Sequence, residues 1–444
     1  MDICRYNESV SPRSNPPGPT SVRGALAGSL AASFFSQGAL VVTGVLVART
    51  LGPEDRGYLA LLFLLPAILQ QVGTLGLPLA TTYFIASDRS RESAIRRAIK
   101  FPAFTQVVIL VVLQAGALWF LVGDEPERVR QAAVVSLAIL AGSLADIYGK
   151  ALLQGQGRYA AYNLMWNGIV TFYLAGVVAL VVSGHADLVT ISIAWVSANI
   201  LAGALSLAVA VAAQPRESQT GSPVSRARMF RFGLRGFMGT VSPVATFRLD
   251  QAVIGLFLAP EALGLYVAAL AFTNLPVFIS RGIATIALPQ VARAEQEERQ
   301  GEASRFVALS VALTGIVIVV LEIGAGWLVP FFFGADFDQA VLITRILLIG
   351  TFFTGARRVL ADVTSGRGRP GLGSMAELVS WIVLASAVAV LMPIWGVEGI
   401  AAAITISSAA SLLALVLLLR HADGSHGEWL LRFVRPPLTE PVDD

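Results

Sequence analysis

Five ionisable residues interrupt otherwise apolar stretches of this 444-residue chain: Arg248, Asp250, Arg281, Glu322 and Arg345. A charge at the centre of a bilayer costs roughly 2.5–3.5 kcal/mol on insertion scales, so such residues tend to face a cavity or a partner. Guanidinium forks match phosphate oxygens well, which makes the three arginines candidate anion contacts. Asp250 and Glu322 are candidate proton or sodium sites. The simpler alternative is interhelical ion pairing, with Asp250 or Glu322 as the arginines' partner. Arg248 and Asp250 stand two apart and point to different sides of one helix, so they are not a facing pair. A further couple, Asp146 and Lys150, lies near the end of another apolar stretch.

Hydroxyls accompany these charges at helical spacing. Ser242, Thr246 and Asp250 follow at i, i+4 and i+8 and form one polar stripe. Ser29, Ser33, Ser36 and Thr43 form a comparable stripe near the start of the chain. Two facing stripes suit a hydrated cavity, while small hydroxyls also serve helix packing.

Other chemistries find little support. The three histidines, His185, His421 and His426, fall in loops or the C-terminal tail, so no metal site is expected. Cys4 is the only cysteine and excludes an intrachain disulfide. There is no GxxxxGK[ST] phosphate loop, catalytic triad or nucleic-acid surface, so no cofactor and no enzymatic activity are expected. Energy would come from an ion gradient or from removal of product.

The elements that position these residues follow from composition. The chain is 55% hydrophobic and 14% charged, with a mean hydropathy of +0.70, whereas soluble domains carry about a quarter charged residues. Runs such as 57–87, 101–123, 159–184, 188–214, 378–397 and 399–419 contain no Asp, Glu, Lys or Arg. Each is about long enough, at roughly 20 helical residues per bilayer, to cross the hydrocarbon. They lack strict alternation, so membrane strands are excluded and helices remain. The runs and their breakers predict an all-α polytopic membrane protein with about twelve spans: 24–48, 57–86, 101–122, 131–153, 160–183, 188–213, 229–258, 262–291, 304–331, 338–362, 374–392 and 395–419.

Basic residues orient the ladder. They crowd alternate loops, as in Arg89, Arg91, Arg96, Arg97 and Lys100, and again in Arg226, Arg228, Arg231 and Arg235. The opposite loops hold Arg49, Arg56, Arg128 and Arg130. By the positive-inside rule both termini are cytoplasmic. Residues 1–23 read as a polar, proline-rich, disordered tail. Glu428–Arg435 is either an amphipathic turn at the membrane surface or part of a solvated tail.

Two echoes divide the chain. Leu51-Gly-Pro-Glu-Asp-Arg-Gly-Tyr58 follows the first span, and Leu258-Ala-Pro-Glu-Ala-Leu-Gly-Leu265 follows the seventh. Gln154-Gly-Gln-Gly-Arg158 follows the fourth, and Ser365-Gly-Arg-Gly-Arg369 follows the tenth, at nearly the same offset. The expected units are two six-helix halves, 24–213 and 229–419, with a cytoplasmic linker at 214–228 and a cytoplasmic tail at 420–444. Six spans per half give parallel repeats about an axis along the membrane normal, an arrangement that usually encloses a cavity opening alternately to each side. The arginines and Glu322 have no ionised counterparts in the first half, so the second half is expected to hold an anionic group and the first to supply the moving wall.

From Gly24 to about Leu419 the chain resembles bacterial polysaccharide-biosynthesis flippases, the Wzx-like branch of the superfamily that also holds MATE exporters and MurJ lipid flippases. The resemblance is carried by Val47-Ala-Arg-Thr-Leu-Gly-Pro-Glu-Asp-Arg-Gly57, by the stretch from Arg248 to Tyr266, and by the Gln154–Arg158 turn. The chain departs at Ala259, where glycine is common, and at Arg56, often an aromatic. The resemblance implies a MATE-like fold in a bacterial inner membrane. It also implies translocation of an undecaprenyl-diphosphate-linked oligosaccharide to the outer leaflet. Arg248, Arg281 and Arg345 would then attract the diphosphate-sugar head group. Partners would be this lipid-linked oligosaccharide and membrane lipids, with a glycan polymerase and a chain-length regulator as candidate protein partners and no nucleic acid.

Three rival readings are weaker. A MATE-like cation-coupled drug exporter would need a cavity dominated by acids. Gly142-Ser-Leu-Ala-Asp146-Ile-Tyr-Gly149-Lys150 partly matches a major-facilitator loop signature, but lies inside the fourth span with Ile147 where that family has a basic residue. A glycan polymerase or ligase would need a large outer loop, and the longest here runs only from Gly123 to Arg130.

Overall fold

The computed structural model describes residues 19–212, 225–238, 248–293, 299–366 and 370–423. Among these the regular elements are helical, in the order α1 (Pro19–Gly73), α2 (Leu77–Ser87), α3 (Glu92–Val122), α4 (Glu127–Ser136), α5 (Ile139–Gly155), α6 (Tyr159–Trp166) and α7 (Gly168–Val182). There follow α8 (Leu188–Ala212), α9 (Arg226–Met238), α10 (Leu249–Phe257), α11 (Pro260–Arg293), α12 (Arg299–Phe333), α13 (Ala340–Gly366) and α14 (Pro370–Asp423).

Eight stretches among the described residues are long and apolar enough to cross a membrane. Two are too long for one passage: Phe35–Gly73 has 39 residues and Gly371–His421 has 51. At about 1.5 Å per residue these span roughly twice a ~30 Å hydrocarbon core. Each holds a glycine at positive φ, Gly52 at 71° and Gly396 at 57°. The chain therefore turns back at these points, and Pro53 opens the second limb of α1 where its missing N–H costs nothing. With α2, α9–α10 and α11 in register, the fold is two halves of six crossings. Large apolar side chains face outward, Phe120 at 88% and Ile323 at 80% exposure. A surface of that kind needs lipid around it. The chain is a multi-pass membrane protein.

Several spans are broken where an unbroken helix is expected. The second crossing stops at Thr74-Leu75-Gly76, where Leu75 and Gly76 have φ of 48° and 71°, and resumes as α2. The fourth divides between α4 and α5, and the fifth at Asn167 between α6 and α7. The seventh consists of α9 and then α10, which begins after Arg248 at a left-handed φ of 48°. Helix α9 lies against α2 of the first half. There Met229 is buried, Phe232 stacks on Tyr83 at 4.3 Å, and Arg228 lies 5.8 Å from the Phe84 ring. The join between the sequence halves is thus fastened to the first of them.

Three apolar cores hold the helices. At the end where α1 begins and α14 finishes, one core belongs to the first half plus α9 (Leu77, Ile95, Leu152, Ala210, Met229). At that same end a separate core belongs to the second half (Val307, Val363, Ala376, Leu419). At the opposite end a single core draws on both halves, including Leu59 and Leu62 with Ile254, Tyr266 and Phe333. Among the described residues the halves are therefore joined at one end and, apart from α9, packed into separate cores at the other.

Candidate functional site

The joint between the halves is built from the repeated motif. Gly57 of α1 lies against the backbone carbonyl of Pro260 at the start of α11, and Gly264 of α11 lies against that of Pro53. A Cβ at either glycine would overlap the facing carbonyl. Pro53 and Pro260 are equivalent positions of the repeat, as are Gly57 and Gly264. The contact is reciprocal, as expected at an interface about a two-fold axis. Its glycines are small for close backbone approach. Beside it, Arg49 of the first half donates from Nε to the carbonyl of Phe332 at 2.7 Å and from a terminal nitrogen to that of Phe331. These carbonyls close α12, whose last turn has no following N–H partners of its own.

The second echo has a local role. Arg158 donates to the Val209 carbonyl at 2.7 Å and Gln156 to the Ala210 carbonyl at 3.0 Å, while Arg96 reaches Ala210 and Val211 at 2.8 and 3.2 Å. Together they cap the C-terminus of α8 with positive charge and donors. Gly157 supplies the positive φ of 65° that the turn requires. The matching loop at 367–369 lies outside the described residues.

Asp250 is buried on α10 and accepts a hydrogen bond from the Tyr266 hydroxyl at 2.5 Å. Arg248 is exposed at the foot of the same helix. Glu322 of α12 and Arg345 of α13 are neighbours close enough to act on one another electrostatically. They form no hydrogen bond, and Glu322 Oε1 is buried without a partner. Arg345 lies beside Gly326. The structure thus assembles two clusters, Asp250–Tyr266 on α10–α11 and Glu322–Arg345 on α12–α13. Ser36 and Thr43 are buried, and Thr43 returns its hydroxyl to the Ala39 carbonyl at 2.7 Å, a packing role. Ser242 and Thr246, and the side chains of Ser29, Ser33 and Arg281, lie outside the described residues.

One expectation needs correction. The first half does carry an inward charge, Arg56, placed in an outer loop by the sequence reading. Because the turn at Gly52 occupies so little chain, Arg56 already belongs to the helix of the second limb. Its guanidinium reaches down beside Gly44 and Tyr173. Arg56 Nε and the Tyr173 hydroxyl are both buried without hydrogen-bond partners. Phe63 and Trp195 stack at 4.8 Å next to them, with Tyr173 edge-on to Trp195 at 4.7 Å. Elsewhere in that half, two buried acids are paired. Asp146 takes Lys150 at 2.5 Å and Ser206 at 2.7 Å, and Glu92 takes Arg96 and also Gln156 at 2.7 Å.

A family model described as polysaccharide biosynthesis protein matches residues 22–295. The chain belongs to that family. Among curated proteins it is 22% identical over 167 residues to the probable low-salt glycan biosynthesis flippase Agl15 of Haloferax volcanii, a match covering 37% of this chain. The chain spans only 35% of that relative's length. Among solved structures, the lipid II flippase MurJ in an inward closed conformation aligns at TM-score 0.68 and 14% identity, covering 94% of this chain and 93% of that one. An inward-facing multidrug resistance transporter of the MATE family aligns at TM-score 0.67 and 15% identity, covering 86% and 93%. These likenesses show that the chain shares the fold of those two transporter structures.

Proposed function

We propose that this member of the polysaccharide biosynthesis protein family is a flippase. In this reading it moves an undecaprenyl-diphosphate-linked oligosaccharide from the cytoplasmic to the outer leaflet of a bacterial inner membrane by alternating access. The observation that carries the reading is the reciprocal Gly57–Pro260 and Gly264–Pro53 joint at one end, set against two separate cores at the other. With both termini cytoplasmic, as the arginine distribution indicates, the joint is the outer gate and the separated cores flank a cytoplasmic opening. The halves rock about their connection, the gate parts, and the head group passes while the lipid tail stays in the bilayer.

In this scheme the protein acts as a transporter, not an enzyme. Arg248, Arg281 and Arg345 attract the head group, and Asp250 and Glu322 are the candidate coupling sites. The functional units are the halves 24–213 and 229–419, with a glycan polymerase and chain-length regulator as downstream partners. The buried acid at Asp250 is the feature that favours the rival reading, a cation-coupled exporter of small molecules.

The test is glycan display in a host lacking its own flippase. The chain is expected to restore surface glycan, and Arg248→Gln, Arg281→Gln and Arg345→Gln to reduce display at normal protein levels. Full display by all three variants would remove the arginines from the pathway. Failure to restore display with export of cationic dyes intact would favour the exporter.

A further inference from the structure

We infer that Arg56 and Tyr173 form an oxyanion subsite inside the first half, walled by the rings of Phe63 and Trp195. Gly44, beside the Arg56 guanidinium, lies about two turns, or roughly 12 Å, down α1 from the break at Gly52. Tyr173 lies roughly 14 Å below the end of α7 on the same reckoning. In a hydrocarbon layer about 30 Å thick these groups stand near its middle. A guanidinium at that depth is expensive unless something negative meets it. Among the described residues Arg56 has no ion pair or hydrogen bond, and the Tyr173 hydroxyl is equally unpartnered although the residue is only 5% exposed.

The two groups supply what an oxyanion needs. Arg56 offers charge and several donors, and Tyr173 offers one more. Phe63, two turns beyond Arg56 on the same face of α1, and Trp195 present half-buried rings beside them. Such a surface suits the apolar face of a sugar or a prenyl chain. A Cβ at Gly44 would stand 3.9 Å from the guanidinium, which places the first limb of α1 against the subsite. Among the described residues of the second half, the repeat-equivalent of Arg56 is Leu263, an uncharged side chain buried at 1% exposure. The subsite is one-sided, which suits a ligand that must be passed between unlike halves.

The physiological ligand rests on the flippase reading. The oxyanion is then either the diphosphate of the carrier or a carboxylate on the sugar. Both can be probed on the full chain in phosphatidylcholine nanodiscs by tryptophan fluorescence, with inorganic pyrophosphate, glucuronate and neutral glucose as titrants. Trp195→Phe assigns the signal. Saturable quenching by pyrophosphate would identify the diphosphate, and by glucuronate the sugar. Arg56→Gln should weaken it about tenfold or more, Arg56→Lys less, and Tyr173→Phe by a few fold. Tyr173→Phe also serves if Arg56→Gln fails to fold. Equal quenching in Arg56→Gln, equal quenching by glucose, or no saturation by either anion would overturn the subsite. Anion binding without lipid translocation would overturn the flippase reading alone. Translocation without anion binding would overturn the subsite alone.

Discussion

Gly57 touches the carbonyl of Pro260, and Gly264 touches the carbonyl of Pro53, so each half brings the same two residues of one repeated motif to the joint. Two turns that echo one another in sequence are, in space, a single self-complementary contact. It has no slack, because the facing atoms are backbone and cannot swing aside.

Gly57→Ala and Gly264→Ala are therefore expected to oppose closure. Overpacking of this kind costs about 1–3 kcal/mol, a shift of roughly five- to 150-fold between open and closed populations. A cysteine introduced at Ala60 should become more reactive to an impermeant thiol reagent added outside. Unchanged labelling at equal expression would show that the contact does not govern access.

Arg49 ties α1 of one half to the last turn of α12 in the other. Charge-assisted bonds to carbonyls are worth about 1.5–3 kcal/mol. Arg49→Gln should therefore loosen the joint without unfolding either half. Hydrogen exchange at residues 328–333 is expected to quicken while exchange in α5 and α8 stays constant.

The buried Asp146–Lys150 pair is expected to serve stability. Its side chains are 6% and 13% exposed, and Lys150 also rests 5.4 Å from the Trp166 ring. Removing one partner leaves the other uncompensated, so Asp146→Asn should cost about 3–5 kcal/mol. Asp146→Asn with Lys150→Met should recover most of it, as read by the midpoint of thermal unfolding in detergent.

Asp250→Asn keeps an oxygen for the Tyr266 hydroxyl but removes the exchangeable charge. If Asp250 couples transport to an ion, this variant should fold normally and lose its response to imposed proton and sodium gradients in proteoliposomes. A gradient response equal to that of the unaltered protein would place coupling elsewhere.

Much of the architecture was legible because apolar runs and arginine placement act over whole segments. The breaks inside segments were harder. Gly76-Leu77-Pro78 carries the glycine-then-proline signature of one helix ending and another starting, and could have been read. The left-handed turn at Arg248 has no such mark, since it rests on a residue that ordinarily avoids positive φ. The division of the fifth crossing falls at Asn167-Gly168, a turn-forming pair that could also have been read. Of the site, Asp250 was legible as a charge in an apolar run, but its partner Tyr266 was not, because that pairing is tertiary. Arg56 was missed for a different reason. A long side chain near a helix end can extend toward water or into the bundle, and sequence position alone does not say which.

The most direct test places a lipid-linked oligosaccharide on one face of proteoliposomes and follows its exposure to a glycosidase on the other. The unaltered chain is expected to expose it well above the rate in protein-free vesicles, and the Gly57→Ala, Gly264→Ala double variant to fall back toward that rate at equal insertion. Exposure no faster than in empty vesicles, or unimpaired exposure in the double variant, would contradict a flippase that works by closing this gate.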